Sequence, residues 1–337
     1  MLCLLLAGIA GAETKTSLNG GLYPQFIVNA AGSSFFAMAG EADITARFST
    51  KTRDIASAAL QLWASSMMND WTMGMHYGQA YVLVPLGLRL PTLKIGQAVI
   101  PFGLLADYDT HSQIIQTPYA RTLSLRIDPG VGFQGDLARI FYSFWVSNGN
   151  GPYALDNDAG KVFSARVAPK FLLGDAEATL GISGLAGSLP YWRLDSMMHM
   201  MDGPHAYRQK YRFALDNTTD WGPLTLHLEG VAGKDGVQTT NDKGQTTNSW
   251  ALLGTTVYGY YVEGRYAVTN WLEALAMYDD YSVAGQGSHG SAAGGFTLTH
   301  PQLSALNLQV FYQADLMNTA MMNERSWNVT TQLTYRF

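Results

Sequence analysis

The last eleven residues of the chain alternate between oily and polar side chains. Trp327, Val329, Leu333, Tyr335 and Phe337 share one face with Thr331, and Asn328, Thr330, Gln332, Thr334 and Arg336 take the other. A β-strand sends successive side chains to opposite faces, so this period of two describes a strand with one greasy and one wet side. The pattern recurs. Ala42, Ile44, Ala46 and Phe48 oppose Glu41, Asp43, Thr45 and Arg47, and Ala176, Ala178, Leu180 and Ile182 oppose Glu177, Thr179, Gly181 and Ser183. Tyr211, Phe213 and Leu215 oppose Lys210, Arg212 and Asp216. Leu224, Leu226 and Leu228 oppose Thr225, His227 and Glu229, and Tyr260, Val262, Gly264, Tyr266 and Val268 flank Glu263 and Arg265.

About sixteen such segments can be counted: 18–28, 40–50, 55–66, 74–84, 91–101, 130–136, 138–148, 161–171, 176–186, 209–217, 221–232, 250–268, 270–282, 291–300, 303–314 and 327–337. The third is also compatible with a helix by composition. Most are near ten residues, the length that a tilted strand needs to cross a bilayer. The connections alternate between short ones and the longer 29–39, 67–73, 102–129, 149–160, 187–208, 233–249, 283–290 and 315–326. Short periplasmic turns opposite long extracellular loops are the rhythm of a transmembrane β-barrel. Because lipid forbids an open sheet edge, the strands must close on themselves. The expected fold is all-β: an antiparallel transmembrane barrel of about sixteen strands (14–18), spanning 13–337 as one domain.

Composition sharpens this picture. The chain of 337 residues is 47% hydrophobic but only 14% charged, and no stretch beyond the N-terminus is apolar enough for a membrane helix. The apolar run 2–12, ending in Ala10-Gly11-Ala12, reads as a secretory signal peptide over 1–12, although no Lys or Arg precedes it. The one cysteine, Cys3, lies inside that run, so a mature chain lacking it has no disulfide or thiolate metal site. A net charge of −5 without a basic stripe gives nucleic-acid binding no electrostatic footing.

Between 91 and 151 the chain carries Leu93-Lys94-Ile95-Gly96-Gln97, Pro101-Phe102-Gly103, then Arg126, Asp128, Gly130 and Val131, then Asn148-Gly149-Asn150-Gly151. These segments resemble the phosphate-selective porin O/P family, and the terminal Phe337 resembles the aromatic end residue of many outer-membrane barrels. The resemblance implies a sixteen-stranded, commonly trimeric barrel whose third outside loop folds inward to narrow the pore. The dense Lys/Arg run of phosphate-selective members is missing here, since 103–129 holds Arg121 and Arg126 against Asp107, Asp109 and Asp128.

At 28 residues, 102–129 is the longest connection and the expected constriction, with Asp107, Asp109, His111, Arg121, Arg126 and Asp128 facing the narrowest section. The inward census is nearly balanced. Arg47, Lys94, Arg139, Arg166, Lys170, Lys210, Arg212 and Arg265 stand against Glu41, Asp43, Glu177, Asp216, Glu229, Glu263 and Glu273. The expected pore lining is Arg47, Lys94, Arg166, Arg212, Glu229, Glu263 and Arg265. Selectivity needs rings of one charge sign, so this balance predicts passive, weakly selective passage of small hydrophilic solutes or ions. The alternative reading of these charges is that they pair across strands and brace the wall.

Other constellations carry less. Met197-Met198-His199-Met200-Met201 cannot all face one metal ion, and Asp156-Asn157-Asp158 reads as a turn. No G-x-S-x-G, H-E-x-x-H, phosphate-binding Gly loop or haem motif occurs, so no enzyme, cofactor or metal site is expected. Trp71, Tyr77, Trp145, Trp271, Tyr278, Trp327 and Tyr335 are expected in aromatic girdles. The expected partners are membrane lipid and lipopolysaccharide, two further copies of the chain in a homotrimer, and small solutes, in the outer membrane of a Gram-negative bacterium. The alternatives are a barrel that sheathes a partner protein, such as a cytochrome conduit, and an outer-membrane hydrolase.

Overall fold

The computed structural model describes residues 13–29, 32–66, 73–87, 90–104, 123, 125–151, 160–191, 206–236, 238–240, 246–248, 254–285, 287–300, 302–303, 305–318 and 325–337. Its strands are β1 (Glu13–Asn29), β2 (Gly32–Ser49), β3 (Asp54–Ser66), β4 (Met73–Pro85), β5 (Thr92–Val99), β6 (Ile127–Leu137), β7 (Ile140–Ser147), β8 (Val162–Leu173) and β9 (Ala176–Tyr191). They continue as β10 (Ala206–Trp221), β11 (Leu224–Asp235), β12 (Gln238–Thr240), β13 (Thr246–Asn248), β14 (Thr255–Ala267), β15 (Leu272–Val283), β16 (Gly287–Thr299), β17 (Leu306–Asn318) and β18 (Arg325–Arg336). Sixteen of these pair antiparallel in chain order, β11 pairing with β14 past the intervening β12 and β13, and β1 pairs β18 to close the barrel. The other two, β12 and β13, form a separate hairpin in the connection after β11.

Period two becomes an oily exterior. Phe163 and Val167 on β8, Ile182 on β9, Phe213 and Leu215 on β10 and Val262 on β14 all project outward and exposed, while Arg166, Ser183, Arg212, Asp216 and Glu263 between them are buried inside. Among the described residues no helix is long and apolar enough to cross a membrane; the barrel crosses with strands. Trp221, Tyr266, Trp271 and Tyr335 ring the exterior at the short-turn end, and Tyr258, Phe163 and Trp327 stand outward toward the other end. Amphipathic rings favour the boundary between hydrocarbon and water. Trp145 leaves the expected girdle. It points inward at 2% exposure because Gly130 and Gly132, on the paired strand, leave room for its indole.

The closing seam is made by the chain end. Gly20 and Phe337 exchange both backbone hydrogen bonds, at 2.9 and 3.0 Å. The Phe337 ring covers Gly20 so closely that any Cβ there would meet it at 2.6 Å.

The segment compatible with a helix is strand β3, held between β2 and β4. Two expected long loops are mostly strand. The β1–β2 ladder runs on to Asn29 opposite Gly32, and β16 already starts at Gly287 and pairs Gly290 with Asp280. Small residues there look loop-like in sequence, but a neighbouring ladder satisfies their backbone groups. Bulges between Leu22 and Pro24, and between Leu60 and Leu62, shift the register. The signal-peptide segment 1–12 and the Met197–Met201 run lie outside the described residues.

Candidate functional site

Inside this barrel one chain segment leaves the wall. β5 ends at Val99, and Ile100, Pro101, Phe102, Gly103 and Leu104 continue into the lumen; the return leg arrives through Leu123, Leu125 and Arg126 to β6. The Ile100 amide donates to the Arg126 carbonyl at 2.9 Å, tying the two legs together. Three wall residues then hold the outgoing leg. Ser164 Oγ on β8 donates to the Pro101 carbonyl at 2.7 Å, the Gly103 amide donates to Ser183 Oγ on β9 at 3.0 Å, and the Leu104 amide donates to Glu229 Oε2 on β11 at 2.7 Å.

Apolar contact reinforces these bonds. Ile100, Phe102, Leu123 and Leu125 pack with Trp145, Val162, Leu185, Ala214 and Val231 of the inner wall. Leu104 belongs to a second cluster with Tyr261, Leu275, Met277 and Phe311, on β14, β15 and β17. In a barrel of sixteen strands, β15 lies about opposite β5, so the segment acts as a strut across the lumen. Gly103 is required at the anchor: its φ is +58°, and a Cβ would meet the Glu229 carboxylate at 2.4 Å.

The strut explains the motif residues locally. Gln97 Nε2 donates to the Gly78 carbonyl at 2.5 Å, bracing β5 where it ends. Asp128 is fully buried, and its carboxylate accepts from the amides of Gly149 at 2.5 Å and Gly151 at 2.9 Å. It thus fastens the Asn148–Gly151 turn to the root of the return leg and has no face left for a solute. Arg126 is half-buried beside it. Asp107, Asp109, His111 and Arg121 lie outside the described residues.

The expected pore-lining charges do face inward, but most are consumed in pairs. Arg166 forks onto Asp216, with Nη2–Oδ1 at 2.6 Å and Nε–Oδ2 at 3.3 Å, and both side chains are buried. Arg212 binds Asp235 at 2.5 Å and also donates to the carbonyls of Tyr211 and Lys234. Arg265 binds Glu263 at 2.5 Å and approaches Glu273 at 4.0 Å. Arg47 pairs with Asp54 at the short-turn rim, its Nε donating at 2.8 Å. Arg139 sits exposed in the β6–β7 turn instead of on the inner wall. Lys94 differs: its ammonium rests 4.3 Å from the Tyr81 ring and 5.9 Å from Trp145, and among the described residues no carboxylate lies within ion-pair distance of it. No three potential metal ligands cluster among the described residues.

The sequence pattern carried no sign of the clamps Ser164 and Ser183 or of the role of Gly181 beneath Asp216. A usable signal existed for the apolar inner patch. On β7 to β11 the inward set includes Trp145, Leu185, Ala214 and Val231, so alternation fails exactly where something must cover the wall.

No family model matches the chain, and no curated protein matches it. Solved structures do. It is similar to OmpT, an outer membrane protein of Vibrio cholerae in its trimer form, at 11% identity over 96% of this chain and 99% of that one, with a TM-score of 0.67. An anion-selective porin from Comamonas acidovorans gives 12% identity over 96% and 100%, with a TM-score of 0.65. The outer membrane channel DcaP of Acinetobacter baumannii gives 11% over 97% and 98%, also at 0.65. At such identities the likeness establishes the fold alone, the closed antiparallel β-barrel of these outer-membrane proteins.

Proposed function

We propose that the chain is a porin of the bacterial outer membrane that passes small hydrophilic solutes or ions by diffusion with weak selectivity. The observation that carries this is the strut of Ile100–Leu104, pinned by Ser164, Ser183 and Glu229 inside a polar-lined barrel with an oily exterior. Sixteen strands enclose more space than side chains fill, and a pinned segment narrows that space without spanning its whole height. Paired charges leave no ring of one sign among the described residues, which favours weak selectivity.

In this proposal Asp107, Asp109, His111, Arg121 and Arg126 line the narrowest section, because the described legs on either side of 105–122 already lie in the lumen. The assembly is a homotrimer, as the trimer form of the Vibrio protein suggests, with lipid and lipopolysaccharide around it and a signal peptide at 1–12. The motifs at 91–151 favour kinship with the phosphate-selective porin O/P family, without its phosphate preference. Purified protein in a planar bilayer tests the proposal. Open, ohmic single channels support it; a barrel that inserts and stays silent overturns it in favour of a sheath for a partner.

A further inference from the structure

The wall beneath the strut's root carries little charge. Strands β3 to β7 hold one Lys or Arg, Lys94, and three carboxylates. Asp54 is paired with Arg47, Asp128 accepts the Gly149 and Gly151 amides, and Asp136 is exposed at the short-turn rim. Lys94 lies on β5 on the short-turn side of the strut and is half-buried. Its register partner Gly132 also pairs with Trp145, so no side chain stands between the ammonium and the indole. The ammonium rests 4.3 Å from the Tyr81 ring and 5.9 Å from that of Trp145. Ring faces attract an ammonium, but they leave its three donors without an oxygen to accept them. Among the described residues no carboxylate or hydrogen-bond acceptor meets those donors.

The surroundings of Lys94 are mixed. Leu83 pairs with it on the β4 side, and the half-buried Tyr81 adds a ring beside it. In the next inward row toward the short turns, Thr92 pairs with Gln134, which pairs with Ser143. All three are half-buried, and among the described residues their side chains make no hydrogen bond to protein. We infer that Lys94 forms a binding station for small, singly charged organic carboxylates on the lumen wall beneath the strut. This inference rests on the porin proposal above and gives it a substrate class. A carboxylate supplies the acceptors that the ammonium lacks, and Leu83 and Tyr81 offer apolar surface to a short carbon chain. One cation balances one negative charge. A dianion would bring a second charge into a stretch of wall with nothing to neutralise it, which is costly once its water is shed.

Single-channel recording of the full-length barrel in potassium chloride tests this, with butyrate, its neutral amide butyramide and sulfate as added probes. Butyrate should lower the conductance with a saturable dose dependence, and butyramide and sulfate should leave it unchanged. A conductance indifferent to butyrate overturns the station while the open channel upholds the porin proposal; a barrel that inserts and stays silent overturns both. Block by butyramide shows that the carboxylate is not what binds, and block by sulfate at the same concentrations shows that single charge is not required; either overturns the inference. These arms use the wild-type chain and need no variant to fold. In Lys94→Gln that migrates as a folded barrel, the half-blocking concentration of butyrate should rise about tenfold, the loss expected of one hydrogen bond to a charged group. A folded variant with an unchanged half-blocking concentration places the butyrate elsewhere and overturns the assignment to Lys94.

Discussion

The carboxylate of Asp216 occupies the space above Gly181 on the adjoining strand: the two residues are register partners, and a Cβ on Gly181 would lie 2.2 Å from Oδ2. The missing side chain lets Asp216 turn toward Arg166, two strands from its own, and accept both of its forked donors. Gly181→Val should therefore break this buried pair. Leaving one buried partner uncompensated costs about 3–5 kcal/mol. The urea midpoint of the lipid-reconstituted barrel should fall accordingly, and an unshifted midpoint would show that the pair does not depend on the glycine.

Glu229 is the only charged group among the three clamps on the strut's outgoing leg. A hydrogen bond to a charged group contributes about 1.5–3 kcal/mol. In Glu229→Ala the Leu104 amide loses its acceptor, so single-channel conductance should rise and its noise increase. Glu229→Gln keeps an acceptor oxygen and should stay near wild type. Identical traces from Glu229→Ala and wild type would mean that this anchor does not set the bore.

Asp128 is a brace, and its replacement should act on stability. Asp128→Ala strands the buried amides of Gly149 and Gly151, at about 1–3 kcal/mol per unsatisfied group. Heat-dependent mobility on gels should shift to lower temperature. Ion selectivity should stay put, and a changed selectivity with intact stability would return Asp128 to the pore.

The two faces of a strand should respond oppositely to charge. Leu215 projects into the oily band, whereas Thr45 is inward-facing and exposed. Arginine on the lipid face at the bilayer midplane costs about 2–4 kcal/mol. Leu215→Arg should lower the folding free energy in lipid by that order, and Thr45→Arg should leave it nearly unchanged. Equal effects would contradict the assignment of faces.

If Arg121 and Arg126 line the narrowest section, replacing both with Glu should move the reversal potential in a salt gradient toward cation preference. A reversal potential that does not move would place them away from the permeation path.

Alternation along each strand is a local property, so the sequence alone determined the class of fold. Every second side chain of a strand must face the same way, and Phe213 and Leu215 against Arg212 and Asp216 reveal oil outside and polarity inside without any partner strand. The barrel's size followed from counting such segments. Two errors, at 29–39 and 283–290, arose where small residues carry no periodic signal and only a neighbouring ladder makes them strand. Tertiary structure alone decided which inward groups meet. Gly103 finds Ser183, Leu104 finds Glu229, and Gln25 finds Gln332 across 80, 125 and 307 positions of sequence. Those meetings depend on how far each strand slides against the next and on where the ring closes, quantities that accumulate around the whole barrel and leave no mark on any single segment.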